Sequence, residues 1–252
     1  VRIQEQLVAA VGEQRGAGAA DRICEACLTL RGVEAAAISL VYDGTNIGTL
    51  GASSAAARTF DELQFTLGEG PCLDSVTHRA PVMITDLADP NERRWPFFAP
   101  ALLAHNIRAV AAVPIVVTGE YVGALDLFGS VPGQWEDDQW AAAVMAAELA
   151  ALPVLDLLDD DLQIAATDPD STAWTHLHAL SRAEVGQASG MLIAQLNIGP
   201  TQALMRLRAH AYATGVSATE IARDIIGRRL RLDATYAAGE YRRGEDPNRG
   251  IG

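Results

Sequence analysis

Residues 108–128 read RAVAAVPIVVTGEYVGALDLF, two apolar runs (Arg108 to Val117, Val122 to Phe128) joined by Thr118-Gly119-Glu120-Tyr121. The density of β-branched residues predicts strands, and the short polar turn predicts that they pair as an antiparallel hairpin. Upstream the same pattern recurs: Ala35 to Tyr42 is a strand, Asp43-Gly44 a turn, and Ile47 to Ala52 a hairpin partner. Between the two pairs the sequence predicts a short helix after Pro71, a strand at Val82-Met83-Ile84 and a helix near residues 97–105. Ile3, Leu7, Val8 and Val11 fall at helical spacing. After the Gly/Ala stretch 16–20 a second helix carries Ile23, Cys27, Leu28 and Leu30. On the far side, Asp137 or Asp138 opens an Ala- and Leu-rich helix to about Leu158, with a kink or break expected at Pro153. A helix, two strands, a helical crossover, two strands and a closing helix define an α+β fold, an antiparallel sheet with helices packed on it.

Beyond Leu158 the composition changes. Asp159-Asp160-Asp161 and Thr167-Asp168-Pro169-Asp170-Ser171-Thr172 mark residues 159–173 as an acidic linker. Three helices are then predicted within residues 174–232, an all-α bundle. The first, from about Trp174 to Asn197, carries Val185, Ala188, Leu192 and Leu196 as its apolar stripe. Gly199-Pro200 stops it, and Thr201 caps a second helix that buries Ala203, Leu204, Leu207 and Ala211 and ends at Gly215. Ser217-Ala218-Thr219-Glu220 is a capping box, opening a third helix with Ile221, Ala222, Ile225, Ile226 and Leu230 inside. Residues 233–252 are rich in Gly, Arg and acids, a composition that predicts disorder.

The formal charge of −13 conceals two opposite halves. Residues 1–173 hold 9 Arg against 25 acids, net −16, whereas residues 174–252 hold 10 Arg against 7 acids, net +3. Attraction to phosphate is therefore assigned to the C-terminal part. All 19 basic residues are Arg, which excludes lysine-dependent sites such as Schiff bases and phosphate-loop lysines. No apolar run approaches bilayer length, and Val1-Arg2-Ile3-Gln4 lacks a signal peptide's basic start and apolar middle, so a cytoplasmic location without membrane contact is expected. Three cysteines are too few for a disulfide framework. Cys24 and Cys27 have metal-pair spacing but lie on a helical stripe with no second pair, so burial is expected and no metal or cofactor is assigned.

Gly68-Glu69-Gly70-Pro71-Cys72-Leu73, Asp86-Leu87, Arg94-Trp95-Pro96 and Gly123-Ala124-Leu125-Asp126-Leu127-Phe128, in that order, resemble the pattern of GAF domains in bacterial regulators. The resemblance assigns residues 1–158 to a small sensor with a cavity between sheet and helices. A small-molecule ligand there and a role in dimerisation alone both remain open, and the cyclic-nucleotide signature, which includes a Lys, is absent. Cys72 is the sensing candidate: Pro71 at a helix start sets its thiol near the positive end of the dipole, which favours thiolate and redox chemistry. Packing is the alternative. His78, further along, is a candidate metal or haem ligand only in isolation.

The run Ser181-Arg182-Ala183-Glu184-Val185-Gly186-Gln187-Ala188-Ser189-Gly190-Met191-Leu192, followed by Leu207-Arg208, resembles the ANTAR family. The resemblance implies a three-helix module that binds paired stem-loops in nascent transcripts and prevents termination. Arg182, Gln187, Ser189, Gly190, Arg206 and Arg208 are the residues it implies for RNA contact, with capping or pairing to an Asp as the alternative for Arg182 and bracing of the bundle as the alternative for Arg208. Arg suits stacking and phosphate pairing, Gln187 a base edge, and Gly190 a close backbone approach. Ser189 stands where the family usually has Lys. The small bundle and the long Ala/Leu-rich helix predict a homodimer.

Two other classes compete, beside a third, a pure dimerisation module that sequesters a partner. Ser217 to Ile226 resembles the capped second helix of a helix-turn-helix DNA-binding protein, with Arg223 the only cation near the end that would read bases. Asp86, Asp89 and Glu92 gather in one loop as an enzyme's acids would, without metal spacing or a nucleophile–base set, so the chain is read as no enzyme.

Overall fold

The computed structural model describes residues 5, 7, 9, 15–42, 44–133, 135–156 and 182–232. The linker 159–173, the stretch from Trp174 to Ser181, the tail 233–252 and most of the first expected helix lie outside the described residues. The chain divides into two compact units, Val1–Ser181 and Arg182–Gly252.

In the first unit the helices are α1 (Gly16–Cys27), α2 (Ala55–Leu67), α3 (Pro71–His78), α4 (Phe98–Ala104) and α5 (Asp137–Asp156). The strands are β1 (Ala35–Tyr42), β2 (Thr45–Ala52), β3 (Val82–Ile84), β4 (Ala109–Val117) and β5 (Glu120–Gly129). They form one sheet in the order β2-β1-β5-β4-β3, with every neighbouring pair antiparallel. Thr118 and Gly119, both at positive φ, close the β4–β5 hairpin in two residues, the geometry whose twist suits paired strands. Central pairing of β1 with β5 runs from Ala35 opposite Phe128 to Leu40 opposite Gly123.

The strand period of two sends alternate residues to two separate cores. One face, with Ile38, Leu40, Val113, Ile115, Leu125 and Leu127, packs under α1 and α5. The other, with Ala37, Val41, Val110, Ala112 and Phe128, packs under α2, α3 and α4. Two sequence expectations change here. The Gly/Ala stretch 16–20 is the first part of α1, with Ala19 and Ala20 buried, while Leu28 lies past the helix and is exposed. These small residues let α1 approach β2 so closely that a Cβ at Gly51 would lie 2.5 Å from the Ala20 backbone. Pro153 neither breaks nor ends α5, which runs through it to Asp156. Asp156 Oδ2 then accepts a hydrogen bond from Gly16 N at 3.2 Å, fastening the end of α5 to the start of α1.

Helix α2 was not anticipated. Ser54 caps it, its side chain accepting from Ala57 N, and Gly68 ends it at φ 70. Its buried residues are Ala57, Phe60, Asp61, Gln64, Phe65 and Thr66. Three of those six are polar, so the apolar periodicity that normally announces a helix is interrupted.

The second unit is a three-helix bundle: α6 (Ala183–Leu196), α7 (Pro200–Thr214) and α8 (Ala218–Ile226). Val185, Ala188, Leu192, Ala203, Leu207, Ala211, Ile221, Ala222, Ile225 and Leu232 are its buried core. Leu196, Leu204, Ile226 and Leu230 are half-buried rather than interior. Pro200 opens α7 itself, with Gly199 as the cap, so Thr201 is inside the helix. Proline at the first helical position removes an N–H that would have had no partner. Ser217 and Glu220 form the expected box: Glu220 N donates to Ser217 Oγ at 3.2 Å and Ser217 N donates to Glu220 Oε2 at 3.3 Å.

Candidate functional site

The motifs of the sensor unit join its elements together. Glu69 Oε1 accepts from the backbone N–H groups of Phe97 and Phe98 at 2.7 and 2.8 Å, anchoring the start of α4. Trp95 Nε1 donates to Asp74 Oδ2 at 3.0 Å, holding the same loop against α3. Asp86 takes a two-pronged contact from Arg108 at 2.9 and 2.8 Å, and the Arg108 side-chain bonds hold its carboxyl below the usual range. Glu92 is similarly lowered by Arg94, and Asp89 accepts from Asn91. The acids of this loop are thus engaged in local bonds. His78 is exposed, with Nδ1 2.8 Å from Asp74 O.

Between the sheet and α2–α3 lies a group of buried polar side chains. Ser39 of β1, Asn46 of β2, Asp61 and Gln64 of α2, Cys72 of α3 and Asp126 of β5 are all 0 % exposed. Asp61 Oδ1 accepts from Ser39 Oγ at 2.6 Å and from Asn46 Nδ2 at 2.5 Å, and Oδ2 accepts from the Thr49 hydroxyl. Three donors thus converge on one carboxyl group. Asp126 Oδ2 lies 2.5 Å from Ser39 Oγ and 3.1 Å from Gln64 Nε2. Gln64 in turn accepts from Cys72 N at 2.8 Å. Asp126 Oδ1 is buried without a hydrogen-bond partner. Burial first, then the charge of Asp61, pushes the Asp126 carboxyl well above its ordinary value.

Cys72 begins α3 beside Pro71, as the sequence predicts, but the dipole argument for thiolate does not hold. Burial, then Asp126 and Asp61, push the thiol well above its usual range. A cleft of about 270 Å³ lies elsewhere, lined by Arg31, Gly32, Val131, Pro132, Trp135 and Glu136 among others.

In the bundle, Gln187 and Gly190 share the exposed face of α6, with open space where a Gly190 Cβ would stand. Ser189 is half-buried on the flank of that helix. Arg182 occupies the cap position of α6 at φ 46 and is buried. Arg208 is brought close to it: burial first, then the Arg182 charge, lowers the Arg208 pKa. Arg206 is half-buried on α7. Arg223, the cation on which DNA reading would depend, donates to Glu184 Oε1 at 3.3 and 3.1 Å, tying α8 to α6.

The class these features define is a regulatory chain with an α+β sensor-type unit and a separate helical module. Residues 17–152 match the GAF domain family, more than half of the chain, and residues 177–226 match the ANTAR domain family. The chain belongs to the GAF domain family and carries a C-terminal ANTAR domain, an RNA-binding type of domain. No curated protein matches it. Among solved structures, the GAF domain of a phosphoenolpyruvate-protein phosphotransferase from Coxiella burnetii is 17% identical, covering 61% of this chain and 92% of that one at TM-score 0.47. A free methionine-R-sulfoxide reductase from Neisseria meningitidis, in complex with its substrate, is 14% identical over 61% of this chain and 87% of that one, TM-score 0.46. A domain of a two-component sensor histidine kinase protein from Sinorhizobium meliloti is 15% identical over 57% and 93%, TM-score 0.46. Likeness at this level carries no chemistry across. No helix among the described residues is long and apolar enough to cross a membrane.

Proposed function

We propose that the chain is a bacterial, cytoplasmic antitermination regulator without enzymatic activity: a homodimer whose GAF unit receives a signal and whose ANTAR units bind paired stem-loops in nascent mRNA. The observation that carries this reading is the ANTAR match over a capped three-helix bundle, in the one part of the chain with net positive charge. The exposed Gln187–Gly190 face of α6 offers an amide for base edges and an open backbone. Arg206 and Arg208 supply guanidinium groups for phosphate or stacked bases. Arg182 acts with them from its buried cap position, and Ser189 borders the face. The engagement of Arg223 by Glu184 weighs against duplex reading by α8.

The test is capture of cellular RNA on the purified full chain followed by sequencing. Recovery of paired leader stem-loops is expected. Preference for a duplex DNA of matched sequence would overturn the reading.

A further inference from the structure

Three side chains from three elements converge beneath the helices of the sensor unit: Asp61 on α2, Cys72 on α3 and Asp126 on β5. One carboxylate oxygen from each acid and Cys72 Sγ all lie within 4.8 Å of one another, and all three residues are fully buried. Two observations separate this group from an ordinary acidic cluster. Asp126 Oδ1 has no hydrogen-bond partner although it is sealed from water, a state that native structures rarely leave without a purpose. The contacts on its other oxygen, Ser39 and Gln64, are both neutral.

We propose that Asp61, Cys72 and Asp126 form a binding site for one divalent transition-metal cation of the zinc class. A thiolate with two carboxylates selects such a cation over magnesium or calcium, which take oxygen ligands alone. A tetrahedral zinc with ordinary bond lengths holds its ligand atoms roughly 3.3–3.5 Å apart. The donor atoms of the present group, within 4.8 Å of one another, would draw together on a cation. Three protein ligands leave the fourth position for water or a small exogenous ligand. Ser39, Asn46 and Thr49, which donate to Asp61, would orient the Asp61 carboxyl from outside the coordination sphere. Loading replaces one proton on the Cys72 thiol and one on the Asp126 carboxyl by the cation. The site belongs to the GAF unit alone and stands whether or not the chain binds RNA.

The experiment uses the full chain, stripped with chelator and reduced, then equilibrated with Co2+ to constant absorbance. The expected result is a thiolate-to-cobalt charge-transfer band that saturates at one equivalent, is displaced by Zn2+ and is indifferent to excess Mg2+. The band persists in the Cys24→Ala/Cys27→Ala double variant, where Cys72 is the remaining thiol, and vanishes in Cys72→Ser. Asp126→Asn weakens Zn2+ binding by at least the tenfold or so that loss of even an outer partner costs. Absence of the band in both the wild type and the double variant overturns the proposal. So does a band that needs Cys24 or Cys27 and survives in Cys72→Ser. Because the signal comes from the metal, a negative result leaves the RNA reading untouched.

Discussion

Asp126 Oδ2 lies 2.5 Å from Ser39 Oγ, while that hydroxyl also stands 2.6 Å from Asp61 Oδ1. A serine hydroxyl has a single proton to donate. If Ser39 gives it to Asp61, the contact to Asp126 is satisfied only when Asp126 carries a proton and donates in turn. The upward displacement of the Asp126 pKa by burial and by Asp61 agrees with that assignment. In the metal-free chain, therefore, the native state keeps this proton at pH values where the unfolded chain has lost it. Stability then falls as pH rises from the ordinary carboxyl value of 3.8 towards the native value. Asp126→Asn, which imitates the protonated acid, is expected to fold and to show a flatter dependence of Tm on pH across that window. A variant whose slope equals that of the wild type would refute the proton assignment.

Asp61 is the opposite case. Its two oxygens collect donors from Ser39, Asn46 and Thr49, and an amide in that place would aim its own N–H2 at one or more of them. Asp61→Asn is expected to lower stability by at least about 2 kcal/mol, since each buried group left unsatisfied costs about 1–3 kcal/mol. Chemical denaturation of Asp61→Asn beside Asp126→Asn reads the contrast; equal losses would contradict it.

The three thiols are buried, and burial pushes Cys27 up to about 12, with Cys24 and Cys72 also raised. Thiolate, the reactive form, is thus scarce at neutral pH. Alkylation at pH 8 is expected to label none of them in the native chain and all three after denaturation. Rapid native labelling of Cys72 would restore the redox reading of that residue.

The hairpins were legible in the sequence because residues 108–128 keep an unbroken apolar strand character around one turn, and the Ser217–Glu220 box was legible because its spacing is local. Helix α2 and the polar cluster were missed for a shared reason. Asp61 and Gln64 occupy inward positions where periodicity reads only apolar residues, so the same substitutions hid the helix and its chemistry. A sequence signal did exist: Ser39 and Asp126 are polar residues within otherwise apolar strands, at positions whose alternation sends them inward. What joins them to Asp61 and Cys72 is tertiary packing, which no local pattern contains.

Gly51 marks the closest approach of α1 to the sheet. A methyl group there would meet Ala20 backbone and side-chain atoms at 2.5 and 2.6 Å, distances that require a helix to shift. Gly51→Ala is expected to destabilise the sensor unit by about 1–3 kcal/mol, the usual cost of overpacking. A thermal melt of the full chain checks this. An unchanged melt would mean that α1 is free to move away from β2.

Arg208 tests the proposed RNA face most directly. Its guanidinium is half-buried near that of Arg182, and burial together with the like charge disfavours its charged form. Removing it therefore takes away both its side-chain packing and a like charge beside Arg182. Arg208→Ala is expected to leave Tm nearly unchanged while weakening stem-loop binding by about 1–3 kcal/mol, with a smaller salt dependence if the contact is to phosphate. A large fall in Tm with undiminished RNA affinity would make Arg208 a brace of the bundle instead. Ser189→Lys is the companion variant. Ser189 flanks the exposed Gln187–Gly190 face, from which a lysine stem can reach past the helix surface and carry its ammonium to solvent. Tighter binding in that variant is expected if RNA lies along α6. Unaltered affinity in a folded Ser189→Lys chain would move the RNA contact away from that helix.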